Sequence, residues 1–272
     1  MRVKIRFGLV GCGAMGSAIA KAFDRGEIYG QLTCVFDIDV AKAKKLSTEL
    51  KHKPKVVASF PPLLKSCDVI IEAASQQAVR EYAPEAVKRG KSILVMSVGP
   101  LLDRNLMEGL TRAASKSGSR IYLPSGALAG VDGVMAGSCG RIEEVMLTTT
   151  KPPAGLKDAK YLLDKGIRLE GITKPMVVFE GDAQHAVKMF PKNINVSAVV
   201  SLASGRNARV RIIADPSTDR NVHEITVRGD FGEITTRTSN VPSPANPRTS
   251  HLAVLSAISV LKQLSGSVKI GN

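Results

Sequence analysis

VKIRFGLVGCGAMGSAIAKAFDR, residues 3–25, decides how the first half of this chain folds. An apolar run over 3–11 reads as a buried strand. Gly11, Gly13 and Gly16 follow in the spacing G-x-G-x-x-G, and 17–25 reads as a helix. Each glycine has its own physical reason. Gly11 permits a tight turn, Gly13 lets a pyrophosphate approach the backbone, and Gly16 lets helix and strand pack closely. The helix start, with Ala14 and Met15, offers unpaired N–H groups and partial positive charge to a phosphate. Asp37 ends the next strand 21 residues beyond Gly16, placed to accept hydrogen bonds from an adenosine ribose. Its charge disfavours a 2′-phosphate, so NAD is the expected cofactor. Basic neighbours such as Arg25 and Lys42 leave NADP open.

The pattern continues outward from that stretch. Strands are expected at 32–39, 55–59, 67–75, 92–99 and 119–126, with helices over 41–55 (its exit loop included), 76–90 and 101–118. Pro84 interrupts one of these helices and predicts a kink. Strands alternating with helices specify a mostly parallel sheet covered on both faces, a Rossmann-type domain. Ligands of such sheets bind beyond the carboxyl ends of the strands. Ser75, Ser97 and Gly99 lie at two of those ends. They read equally as lining groups for a nicotinamide ribose or as ordinary strand-exit turns.

Beyond residue 125 the character changes. The small-residue stretch 124–140 reads as a helix leading into a second domain, with Ala127 near the nicotinamide, or as a plain connector helix. Strands follow at 142–151, 175–181, 207–215, 221–230 and 232–240, with helices at 182–190 and 194–204. A linker over 242–250 precedes an apolar helix, 251–264, long enough to pack back on the first domain. The expected fold class is α/β. An N-terminal Rossmann domain (1–125, completed by helix 251–264) is joined to an α+β domain (126–245) with a mixed, largely antiparallel sheet for substrate binding and dimerisation.

Composition narrows the classes. With 272 residues, 44% of them hydrophobic, the chain can bury two modest cores. No apolar run reaches eighteen residues, so no membrane span is expected. Glycines cut the N-terminal apolar run, so a retained cytoplasmic N-terminus is the simpler reading than a leader. Cys12, Cys34, Cys67 and Cys139 form no CxxC pair, which argues against zinc or a disulfide scaffold and for a reducing compartment. The formal charge of +14 invites nucleic acid. But Lys and Arg are spread along the chain, and four Tyr, seven Phe and no Trp give little for base stacking. Attraction of small anionic substrates explains the charge as well.

Among the histidines, His52 reads as solvated and His251 as structural, while His185 lies in a helix. His223 shares a strand face with Ile225 and Val227. An imidazole there is either a proton-transfer group or a hydrogen-bonded core residue. Asn193, just before an apolar helix, is placed to cap it or to reach a nicotinamide carboxamide. Lys188 and Lys192 bring positive charge nearby.

Taken in order, GLVGCGAMG, IIEAASQQAV, VMSVG, PSGALAGVDG, FPKNINVSAVVSLA and NVHEI resemble the L-aspartate dehydrogenase family over nearly the whole chain. The first is generic to nucleotide-binding enzymes, while the later ones are specific. The resemblance implies NAD, with some use of NADP, and a homodimer. It implies oxidation of L-aspartate to iminoaspartate, which hydrolyses to oxaloacetate and ammonia or feeds NAD synthesis. It assigns the active-site histidine to His223 and nicotinamide contacts to Ala127 and Asn193. One departure is Pro100, where the family usually has alanine. On this reading the substrate sits between the domains and His223 accepts a proton and activates the water that attacks the imine. No metal is required. Two alternatives remain. One is another two-domain reductase resembling dihydrodipicolinate reductase or homoserine dehydrogenase. The other is an NAD-sensing module.

Overall fold

The computed structural model describes residues 4–157, 159–190, 195–243 and 246–271. They form two compact units, Met1–Pro124 with Val254–Lys269, and Ser125–Ala253 with Ile270–Asn272.

In the first unit β1 (Arg6–Val10), α1 (Ala14–Asp24), β2 (Gln31–Phe36), α2 (Val40–Glu49), β3 (Lys55–Val56), α3 (Phe60–Ser66) and β4 (Val69–Glu72) are followed by α4 (Gln76–Lys88), β5 (Ser92–Val95), α5 (Arg104–Ser117) and β6 (Ile121–Tyr122). The strands pair in parallel in the order β3-β2-β1-β4-β5-β6. The β1, β4 and β5 runs are almost wholly buried, as befits parallel strands covered on both faces. The chain leaves β1 for β2 on one side and later returns to β4 on the other. The carboxyl end of β1 is therefore the topological switch point where dinucleotides bind. Helix starts are fixed by side chains: Asp39 accepts from Ala41 N, Ser75 from Ala78 N, and Asp103 from Asn105 N and Leu106 N.

In the second unit the chain runs through α6 (Val131–Gly137), β7 (Ile142–Lys151), α7 (Lys160–Asp164), β8 (Met176–Asp182), α8 (Ala183–Met189), α9 (Asn195–Ser204), β9 (Arg209–Ala214), β10 (Asn221–Gly229), β11 (Gly232–Asn240), β12 (Pro242–Ser243) and β13 (Asn246–Ser250). Five strands form a sheet in the order β11-β10-β7-β9-β8, antiparallel except for the β7–β9 pair. On one face Val145 and Leu147 of β7, Val210 and Ile212 of β9, and Ile225 and Val227 of β10 are buried, and α9 packs against β7. Their sequence neighbours point the other way. The fold class is the expected one, a parallel Rossmann-type unit and a mixed, largely antiparallel one. α10 (His251–Ser265) then closes the first unit, where Val254, Ala257, Ile258 and Leu261 join the core of Phe7, Leu9, Ile19 and Phe23.

Four stretches differ from the sequence reading. The helix expected over 124–140 is confined to Val131–Gly137, because Gly126 and Gly130 take positive φ (+68° and +74°). Residues 60–66, between the expected strands at 55–59 and 67–75, form α3, whose prolines fall in the first turn, where a missing N–H costs nothing. Lys160–Asp164 forms a short helix that lacked a periodic signal. The expected linker carries the β12–β13 pair. No helix among the described residues is long and apolar enough to cross a membrane.

Candidate active site

The first unit builds a dinucleotide cradle. Gly11 has φ +95°, and a Cβ there would lie 2.6 Å from the Ala73 carbonyl oxygen, against the neighbouring strand exit. A Cβ on Gly16 would collide with the Gly11 carbonyl oxygen. Both glycines therefore serve close packing. Gly13 differs, since a Cβ there would meet no atom within 4 Å, and the residue is exposed. The space above Gly13 is open at the start of α1, where Gly13 supplies no side-chain cap to the first-turn amides of Ala14, Met15 and Gly16. Open space, bare N–H donors and a helix N-terminus fit a pyrophosphate.

Asp37 stands beside this loop. Its Oδ2 accepts from Cys12 N at 2.7 Å and its Oδ1 from Asp39 N at 2.8 Å, so the carboxylate is held in place while half-exposed. Each oxygen keeps a further acceptor direction. That geometry fits ribose hydroxyls.

A buried glutamate that the sequence reading did not single out organises the next two strand exits. Glu72, 1% exposed at the end of β4, accepts from Ala74 N, Ser75 N, Ser97 N and Ser97 Oγ at 2.8–3.0 Å. Burial pushes its carboxyl above the usual range, and the four donors oppose that shift. Ser75 and Ser97 are thus brought together through Glu72. The Ser75 hydroxyl caps α4 and the Ser97 hydroxyl is engaged with the carboxylate. Gly99 opens a tight 3₁₀ turn, Gly99–Leu102, that also holds Pro100.

In the second unit one end of the buried sheet face is polar. His223 (3% exposed) lies opposite Thr149 in the β10–β7 ladder, and Thr149 Oγ1 and His223 Nδ1 share a hydrogen bond at 3.0 Å. That contact fixes the ring and leaves Nε2 for another partner. Two residues beyond Thr149, hence on the same face, β7 ends in Lys151, also 3% exposed. Burial lowers the Lys151 ammonium to about 8. Burial first, and the Lys151 charge second, push His223 down to about 3. The neutral imidazole expected to titrate near pH 7 is therefore neutral throughout the physiological range in the unliganded protein. Lys151 escaped the sequence reading, because a lysine closing a strand reads as solvated and only the ladder places it beside His223.

Ala127 belongs to the same end of the sheet. Its carbonyl accepts from Thr238 Oγ1 at 2.9 Å and Asn240 Nδ2 at 3.1 Å, and Thr238 pairs with His223 across β10–β11. Asn193 and Lys192 lie outside the described residues. The remaining histidines are surface residues. His52 and His251 are exposed, and His185 is exposed and bonded to Asp182 Oδ2 through Nδ1 at 2.8 Å. Cys12, Cys34 and Cys67 are buried thiols and Cys139 is an exposed one. Burial raises Cys12 to about 12, so it is a core residue and not a nucleophile.

Comparison with known proteins places both units. A family described as "Aspartate dehydrogenase, C-terminal" matches residues 132–264, and one described as "Homoserine dehydrogenase, NAD binding domain" matches 11–124. The chain is 46% identical to an L-aspartate dehydrogenase of Methanosarcina barkeri and 45% identical to that of Methanosarcina acetivorans. In both cases the match covers 98% of this chain and 99% of the relative. The crystal structure of an aspartate dehydrogenase from Thermotoga maritima has the same fold, with a TM-score of 0.77 at 24% identity over 99% of this chain and 100% of that one.

Proposed function

This chain belongs to the L-aspartate dehydrogenase family, and from that premise we propose that it oxidises L-aspartate with a nicotinamide dinucleotide, giving iminoaspartate and then oxaloacetate and ammonia. The observation that carries the reading is the near-full-length identity of 46% to an L-aspartate dehydrogenase. The first unit is an NAD-binding domain. Gly11, Gly13, Ala14, Met15 and Gly16 hold the pyrophosphate, and Asp37 holds the adenosine ribose and favours NAD over NADP. Ser75, Ser97, Ala127 and Asn193 serve the nicotinamide side. The second unit, with its polar sheet end, takes the substrate.

When bound, the dinucleotide supplies the acceptor for the hydride on the substrate Cα. The chain's own groups do the rest. Lys151 supplies the cation that a dicarboxylate needs inside a low-dielectric site. The negative charge of that dicarboxylate reverses both pKa depressions, strengthening the Lys151 ammonium and raising the proton affinity of His223. Held through Nδ1 by Thr149, His223 offers Nε2 to the reacting groups. It takes a proton from the substrate nitrogen as the imine forms and passes it to solvent, then takes a proton from the water that attacks the imine carbon and returns it to the departing nitrogen, which leaves as ammonia. Iminoaspartate that escapes hydrolysis feeds NAD synthesis.

The molecule works as a homodimer in the reducing cytoplasm, a setting that suits its four free thiols. Sedimentation should give twice the 28.9 kDa chain mass. The enzymatic test is NADH formation by the purified protein over a panel of amino acids that includes L-homoserine. L-Aspartate should be the preferred substrate. His223→Ala should lower turnover by about 10²–10⁴-fold while NAD affinity stays within about threefold. Absence of NADH with L-aspartate, or preference for L-homoserine, would overturn the reading.

A further inference from the structure

Two asparagines face each other at the polar end of the second unit's sheet, and they differ in one respect. Asn221 and Asn240 pair across β10–β11, and both are buried. Asn240 is a structural clamp, since its Nδ2 donates toward Ala127 O at 3.1 Å, Asn221 O at 3.2 Å and Thr238 Oγ1 at 3.1 Å. Asn221 is 2% exposed, and its Nδ2 is a buried side-chain donor with no hydrogen-bond partner among the described residues. A buried amide N–H left without an acceptor is destabilising, because its desolvation is not compensated. The fold does not use this donor, yet it holds it in place.

The position says what the donor faces. Asn221 precedes His223 by two residues on β10, so the two side chains share the buried face. The β10–β7 ladder ends with Val222 opposite Thr150, and one step further along each strand stand Asn221 and Lys151. An ammonium, an imidazole and an amide therefore converge on one patch. Among the described residues the buried polar side chains of this unit include no Asp or Glu. On that patch the Asn221 Nδ2 is the donor with no acceptor among the described residues. A carboxylate, with about four acceptor directions, is the chemical group that completes it.

We propose that the Asn221 side-chain amide donates a hydrogen bond to a carboxylate of the amino-acid substrate, acting beside Lys151 as a substrate-binding residue. The assignment rests on the L-aspartate reading above. It is distinct from the proton-transfer role of His223, because an amide binds without exchanging its proton.

The test uses the full-length protein with Asn221→Ala and, as a second variant that keeps a polar side chain, Asn221→Ser. Four quantities are read: the ligand-free melting temperature, NAD affinity, the KM and kcat for L-aspartate, and the inhibition constant of succinate as an unreactive dicarboxylate. Removing an unpartnered donor should leave the ligand-free melting temperature unchanged or raised. KM for L-aspartate and the succinate constant should both rise about tenfold in the alanine variant, equivalent to about 1.4 kcal/mol. Turnover and NAD affinity should stay within about threefold. Unchanged KM and succinate binding would overturn the assignment. So would a lowered melting temperature with every parameter falling together, the sign of a structural role. Weakened NAD with unaltered succinate would give the amide to the cofactor and equally overturn it. If the unmodified protein fails to oxidise L-aspartate, the reading of the activity falls and this assignment with it. If it does oxidise L-aspartate and the variants match it, the Asn221 assignment alone falls.

Discussion

His223 shows how depth changes the chemistry of a residue. An ordinary histidine titrates near 6.5, and this one titrates near 3 when folded. Between those values the unfolded chain binds a proton that the folded chain does not. Stability is therefore lost as pH falls from about 6.5 toward 3, by about 1.4 kcal/mol per pH unit from this residue. Lys151, near 8 when folded, is protonated in both states below that pH and adds nothing to this limb. Urea unfolding at pH 7 and pH 4.5 should show a smaller loss of stability in His223→Asn than in the unmodified protein; equal losses would mean that the imidazole is not buried as a neutral group. Asp37 makes a second prediction at this scale. Asp37→Ser removes the charge that repels a 2′-phosphate, so the ratio of NADP to NAD affinity should rise at least about tenfold, and an unchanged ratio would remove Asp37 from cofactor selection. His223 was legible in the sequence because apolar neighbours at i+2 and i+4 mark its strand face. Lys151 and Asn221 were not, because their depth and convergence come from strand pairing across about 70 residues of chain.

At the level of elements, the turn from β1 into α1 separates two uses of glycine. Gly16 is where the helix touches the preceding turn, and Gly13 is where it leaves room. Gly16→Ala should therefore impair folding, seen as a lowered melting temperature without any ligand. Gly13→Ala should leave that temperature within a few degrees but weaken NAD binding by about tenfold or more, measured by titration. Equal effects on folding from both would deny that Gly13 is kept for a ligand. The sequence located this turn well, since strand, glycine spacing and helix follow one another locally. It did less well where the signal was ambiguous. The proline pair in α3 is compatible with a helix only in its first turn, which is where the fold puts it. The small residues of 124–140 have helix-like composition, but two glycines with positive φ shorten the helix to one element after Gly130.

On the scale of the whole molecule, α10 returns from the end of the chain to complete the core of the first unit. Leu261 is fully buried there. Leu261→Ala should cost about 2–5 kcal/mol in unfolding experiments. Saturating NAD should recover part of the loss, about 2.7 kcal/mol at a hundred times its dissociation constant, because it binds the folded state alone. Loss of less than about 1 kcal/mol would mean that the helix is dispensable to that core. The sequence by itself determined the alternation of strands and helices, the dinucleotide turn with Asp37, the change to an antiparallel-rich second half and the histidine at its sheet. All of these are written in periodicities and spacings a few residues long. Tertiary structure alone decided that Glu72 ties two strand exits together, that Lys151 and Asn221 stand beside His223, and that burial holds that histidine neutral. Those outcomes depend on desolvation and on the register between distant strands, and neither has a local signature in a chain of residues.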